Sequence, residues 1–126
     1  MKLKSVYIEK YKNLSPLTID FELGNGLTML VGNNGSGKSN VLEAISGIFH
    51  DLFKGKDSRK IKCDYKLQYT LNEINCVIEQ TNGFLRCYGP KFKRREYFIE
   101  ENAPHNIIGL YSGEEDRLWT SFYETY

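Results

Sequence analysis

Residues 32–39 read Gly-Asn-Asn-Gly-Ser-Gly-Lys-Ser and constrain what this chain can fold into more than any other stretch. They match G-x-x-x-x-G-K-[ST] at every fixed position. The context that would confirm such a loop is a strand before it and a helix after it, and both flanks are legible. Before it, Leu27-Thr28-Met29-Leu30-Val31 is a nearly continuous apolar run, the pattern of a strand buried on both faces. After it, Val41, Leu42, Ala44, Ile45, Ile48, Phe49, Leu52 and Phe53 recur at helical spacing and form a wide apolar stripe. Gly47 interrupts that stripe at some cost in helix propensity. Glycines let the backbone curl so that several N–H groups converge on phosphate oxygens, and the helix start adds its positive dipole end. Lys38 is placed to reach the β- and γ-phosphates, and the Ser39 hydroxyl to hold Mg²⁺. The expected ligands are therefore ATP and Mg²⁺. The competing view, a flexible glycine loop with an accidental lysine, explains neither flank.

The rest of the chain divides around this loop. Residues 1–53 hold a strand pair, the loop and its helix. In the pair, Leu17, Ile19, Phe21 and Leu23 alternate with polar residues, and Val6 and Ile8 mark a partner strand. The segment from Lys12 to Pro16 connects the two, and Gly24-Asn25-Gly26 turns the chain toward the loop. A polar, basic stretch from Lys54 to Lys62 reads as an exposed loop. Residues 62–101 read as an antiparallel meander. Tyr65, Leu67, Tyr69 and Leu71 share one face, Asn72-Glu73 turns into Ile74-Cys76-Ile78, and Asn82-Gly83 is a hairpin signal before Phe84–Tyr88. Phe92–Ile99 would add a fourth strand. Residues 106–126 read as a strand, Ile107–Tyr111, then a helix begun by the capping-box pattern Ser112-Gly113-Glu114-Glu115. That helix would carry Leu118, Trp119, Phe122, Tyr123 and Tyr126 on one side. The expected class is α/β, a strand–P-loop–helix core joined to the meander in a single domain of 126 residues.

Composition narrows the setting. Hydrophobic residues make up 40% and charged residues 26%, as in a water-soluble globular chain. No apolar run approaches the roughly 20 residues that span a bilayer, and no secretion signal is evident. Cys63, Cys76 and Cys87 lack paired spacing, so they read as reduced cysteines on strands of a cytoplasmic protein. With His50 and His105 they form no recognisable zinc pattern. Bases concentrate between Lys54 and Arg95, and acids from Glu96 onward. Lys91, Lys93, Arg94 and Arg95 around Phe92 are candidates for DNA backbone contacts, although a solvated basic face is the commoner explanation of such a run.

Residues 32–45, Gly-Asn-Asn-Gly-Ser-Gly-Lys-Ser-Asn-Val-Leu-Glu-Ala-Ile, closely resemble the P-loop and first helix of SMC, RecF and related DNA-repair ATPases, whose heads are ABC-type. Residues 7–14, running on to Phe21, resemble the first strand pair of those heads. The tail 106–118 is similar to AAA-family ATPases attached to restriction and other anti-phage systems. The resemblance implies that Asn33, Asn34, Gly35, Ser36, Gly37, Lys38, Ser39 and Asn40 hold the nucleotide, that Lys12 and Asn13 lie beside it, and that Ser39 holds the metal. It also implies ATP hydrolysis coupled to pairing of two heads.

The departures are specific. No Asp-Glu pair ends an apolar strand, as a Walker B motif requires. Tyr97-Phe98-Ile99-Glu100-Glu101 lacks the aspartate and reads better as the end of a meander strand. Tyr111-Ser112-Gly113-Glu114 keeps only part of an LSGGQ-like signature, with Ser112 equally a plain N-cap. Gln80 is a candidate Q-loop glutamine, although a solvated edge residue is the simpler view. The expectation is an incomplete head lobe that binds ATP, hydrolyses it poorly alone, and self-associates or docks a C-terminal ATPase lobe. The alternative is a non-catalytic interaction module that docks on a full-length ATPase. A small nucleotide kinase is less consistent, because neither a base nor lid arginines are evident.

Overall fold

A computed structural model describes residues 1–21, 28–55, 58–91 and 94–107. Five strands form one antiparallel sheet: β1 (Lys2–Ile8), β2 (Leu17–Asp20), β3 (Tyr65–Leu71), β4 (Ile74–Thr81) and β5 (Phe84–Tyr88), in the order β2-β1-β3-β4-β5. Helix α1 (Lys38–Lys54) lies between β2 and β3 in the chain, and α2 (Arg95–Asn102) follows β5. The class is α/β, as expected, with every ladder antiparallel.

The meander forms where alternation predicts it. Tyr65, Leu67 and Tyr69 of β3 are buried on one face, and β4 offers Cys76, Ile78 and Gln80 on the same side. Both hairpins use two-residue turns whose residues have positive φ: 50° and 65° at Asn72-Glu73, 50° and 77° at Asn82-Gly83. That is the backbone of a type I′ turn, whose twist matches the strands it joins. Helix α1 supplies Val41, Ala44, Ile48, Phe49 and Leu52 to the same core, with Phe49 and Tyr69 ring centroids 5.8 Å apart. Leu42, expected in the stripe, is half exposed instead.

Several expectations are corrected. Residues 28–31 form no strand, and Met29 and Val31 are 77% and 85% exposed. A strand buried on both faces needs neighbours on either side, and among the described residues none pairs with this run. The expected fourth meander strand is α2. Its apolar residues Tyr97-Phe98-Ile99 are consecutive rather than alternating, and burial falls on Phe98 and Asn102, one helical turn apart. Pro104 pushes Ala103 to φ −88°, ψ 147° and stops the helix, so Glu100 and Glu101 end a helix and not a strand.

The 54–62 segment is not simply exposed. Ile61 is fully buried, and its backbone N–H and that of Lys60 donate to the carboxylate of buried Asp51 at 3.0 and 2.7 Å. His50 Nδ1 lies 3.2 Å from the same carboxylate, so both residues serve packing. Gln80 is buried and donates to the carbonyls of Ile61 and Cys63 at 3.1 and 2.8 Å, which overturns its reading as a solvated edge residue. Cys76 and Cys87 lie on strands, as expected; Cys63 lies in the segment before β3. Most of the expected Ile107–Tyr111 strand, Ser112 and the aromatic terminal helix lie outside the described residues. Among the described residues no helix is long and apolar enough to cross a membrane.

Candidate functional site

The glycine loop leads directly into α1. Gly35 and Gly37 have φ of 81° and 96°, a left-handed backbone that only glycine adopts readily. A Cβ on Gly37 would stand 2.7 Å from Leu14 Cδ2 and 3.1 Å from Asn13 Oδ1, so space as well as conformation demands glycine there. Gly37 is also the N-cap of α1, and no side chain caps that end. The first turn of a helix leaves N–H groups without partners inside the helix, so an uncapped end is open to an anion. The first turn carries no acidic residue that would oppose one.

Lys38 folds back over the loop. Its Nζ donates to the carbonyls of Gly32 and Asn33 at 2.5 and 2.7 Å. The loop closes on itself through Ser36 N–H to the Asn33 carbonyl at 3.1 Å. Ser39 and Asn40 follow in the first turn of α1, with the Ser39 side chain exposed. A groove of about 460 Å³ runs along the loop between Leu17 and Ile19 of β2 and residues Leu30 to Lys38.

The β1–β2 connection meets the loop from below. Tyr11 and Leu14 exchange backbone hydrogen bonds at 3.2 and 2.8 Å around the two-residue turn Lys12-Asn13. Asn13 Nδ2 donates to the Gly35 carbonyl at 2.9 Å, and Asn40 Nδ2 donates to Asn13 Oδ1 at 2.6 Å. Lys12 Nζ contacts both Glu43 carboxylate oxygens at 2.6 Å. Burial, reinforced by Glu43, pushes the Tyr11 phenol up to about 12. The family resemblance implied that Lys12 and Asn13 lie beside the nucleotide; the structure brings Asn13 to the loop and Lys12 to Glu43, which had no role in the sequence reading. The available signal was its spacing: Asn40 and Glu43 are three apart and share a helix face.

On the other side of Pro16 a second groove, of about 640 Å³, is lined by Glu9, Lys10, Lys12, Lys60 and Lys62 with Tyr11 and Cys63. The other sequence candidates lie elsewhere. Gln80 faces the core. Arg95, grouped above with the basic residues near Phe92, donates to the carbonyls of Leu52 and Phe53 at 2.9 and 3.4 Å, and so closes the C-terminal end of α1. Lys91 and Arg94 remain exposed, and Phe92 and Lys93 lie outside the described residues.

A family model described as the AAA ATPase domain matches residues 1–118. This chain belongs to that family. The AAA ATPase domain here is similar to the retron Ec83 probable ATPase of Escherichia coli, with 41% identity over 51 residues, 40% of this chain and 9% of that protein. It is similar to the DNA replication and repair protein RecF of Actinobacillus succinogenes, with 38% identity over 73 residues, 57% of this chain and 20% of that protein. The DNA double-strand break repair Rad50 ATPase of Methanosarcina mazei shows 38% identity over 79 residues, 52% of this chain and 7% of that protein. This AAA ATPase domain is thus SMC/RecF-like, with retron ATPases among its relatives. It spans a fifth or less of the length of these three proteins.

Proposed function

We propose that this chain is the ATP-binding lobe of an SMC/RecF-like ATPase that works on DNA or within an anti-phage system. The supporting observation is the loop 32–39: left-handed at both Gly35 and Gly37, and entering α1 at an end that no side chain caps. Asn33 to Asn40 surround the phosphates, with Lys38 exchanging its carbonyl contacts for phosphate oxygens. Ser39 takes the metal. Bound Mg²⁺ would neutralise phosphate charge, while the chain's own residues bind and orient the nucleotide. The second groove, where Lys10, Lys60 and Lys62 stand with one carboxylate, Glu9, shares Pro16 with the loop groove and adds positive potential on that side.

Hydrolysis needs a further carboxylate to orient water and anchor the metal. We assign that group to a C-terminal ATPase lobe, and expect this chain alone to turn ATP over poorly. The exposed Met29 and Val31 support a partner on that side, either such a lobe or a second copy. The same surface keeps the alternative of a non-catalytic docking module in view, and nucleotide dependence separates the two.

Calorimetric titration with Mg-ATP tests the assignment. Lys38→Ala is expected to weaken binding by at least tenfold, because it removes a charge-assisted contact to phosphate. Equal affinity in both forms would sink the reading, and nucleotide-independent binding to another ATPase would favour the docking module.

A further inference from the structure

We infer that the Lys12-Asn13 turn is a positioning element for the phosphate loop, with Asn13 the residue that sets the loop's shape. Both polar ends of its amide are occupied by protein. Nδ2 donates to the Gly35 carbonyl at 2.9 Å, and Oδ1 accepts from Asn40 Nδ2 at 2.6 Å. The peptide unit joining Gly35 to Ser36 is thereby gripped at both edges. Its carbonyl is held by Asn13, and its N–H donates to the Asn33 carbonyl at 3.1 Å. A peptide unit is planar, so fixing both edges fixes the direction of the chain entering Gly37 and α1.

The neighbours of Asn13 act in the same sense. Lys12 is held by both oxygens of Glu43, whose side chain is only 12% exposed, so its ammonium is already paired. Leu14 packs directly beneath Gly37. Lys12 has φ of 51°, a left-handed conformation that costs a non-glycine residue about 1–2 kcal/mol. Strain of this kind persists where surrounding contacts over-determine it. Here those contacts all run to the loop and to one face of α1. Leucine at position 13 would supply neither bond. Aspartate would keep the acceptor for Asn40 and lose the donor for Gly35.

The functional importance of this turn rests on the ATP-binding reading, but its effect on the loop is measurable without nucleotide. Amide hydrogen exchange of the whole chain, followed by NMR, reads the loop directly. Asn13→Ala is expected to speed exchange at the Ser36 amide, which donates to the Asn33 carbonyl, about tenfold, the effect of losing two ordinary hydrogen bonds, while β3 to β5 stay protected. Asn40→Ala, which leaves the Asn13 donor in place, is expected to give a smaller rise at the same amide. If Asn13→Ala disturbs the sheet as well, Asn40→Ala still decides the point. In Mg-ATP titrations the losses of the two variants are expected to be less than additive, because both remove the Asn13–Asn40 bond.

Unchanged loop exchange in both variants overturns the proposal. So does a loss of ATP affinity in Asn13→Ala without faster loop exchange, which would make Asn13 a direct nucleotide contact. If wild type binds no ATP, the reading of function fails, and the exchange data still judge the positioning role.

Discussion

At the scale of single residues, Gly37 and Gly47 read differently in the sequence, yet a Cβ would be crowded at both. Gly37 is legible in the phosphate-loop pattern itself. Gly47 reads as a flaw in an otherwise good helix, and the structure explains it. A Cβ there would stand 2.7 Å from Ile61 Cδ1 and 2.9 Å from Ile61 Cγ1. Ile61 is fully buried, and its N–H is held by Asp51, so it has little freedom to withdraw. Helix propensity alone would make Gly47→Ala stabilising by about 1 kcal/mol. Overpacking a filled core costs about 1–3 kcal/mol, and we expect it to win. Denaturant unfolding should show a net loss of about 1 kcal/mol, part of which Ile61→Val returns by removing the Cδ1 methyl while Cγ1 stays. A more stable Gly47→Ala would show that Ile61 moves aside. Gln80 and Asp51 teach the same lesson in reverse. Each is a polar letter that local pattern assigns to a surface, yet each is buried because the 58–63 segment brings it backbone hydrogen-bond partners. Only the folded chain reveals such partners.

Among the elements, those with a clean period were legible: the β1–β2 pair, α1 and the three-stranded meander. The two misread elements share one cause. The runs Leu27–Val31 and Tyr97–Ile99 have consecutive apolar residues, and periodicity alone cannot assign such runs. At the candidate site the loop and helix were read correctly as elements. The Glu43 and Asn40 contacts were not foreseen, since they depend on where a turn over 25 residues away packs. The hairpin turns allow a sharper test. Both have φ near +50° at the first position, but the second is Gly83 in one and Glu73 in the other. A left-handed conformation costs a side chain about 1–2 kcal/mol, part of which glycine returns through the entropy of its unfolded state. Glu73→Gly should therefore raise stability by about 0.5–1 kcal/mol in denaturant melts, and Gly83→Glu should lower it by a similar amount. No gain from Glu73→Gly would mean that the glutamate has a compensating contact.

On the scale of the whole molecule, one core joins sheet and helices, and it holds acidic groups that are neutral in the fold. Burial pushes the Cys87 thiol from 9.0 up to about 11; nearby Arg95 opposes this and Glu96 reinforces it. Tyr11 moves from 10.0 to about 12, mainly by burial and then by Glu43, and burial also raises Tyr65 and Tyr69. Tyr69 is held further by its hydroxyl, which donates to the Asn102 carbonyl at 2.6 Å and ties β3 to α2. In each case the unfolded chain releases its proton at lower pH than the folded chain does. Between the two values the folded state binds more protons, so stability falls as pH rises. The thiol contributes from about pH 9 to 11, and the phenols join above about 10. A tenfold change in acidity corresponds to about 1.4 kcal/mol, so Cys87 alone contributes on the order of 2 kcal/mol across its window. Guanidinium unfolding midpoints should stay level up to about pH 8.5 and then decline steadily to about pH 11. Cys87→Val keeps an apolar side chain opposite Ile78 and removes the thiol. It should flatten the decline between about pH 9 and 10 while leaving the steeper phenol-driven part above it. A midpoint that does not move between about pH 8 and 11 would mean that the thiol and phenols meet solvent in the folded chain, and that the core around β3 to β5 is looser than its burial implies.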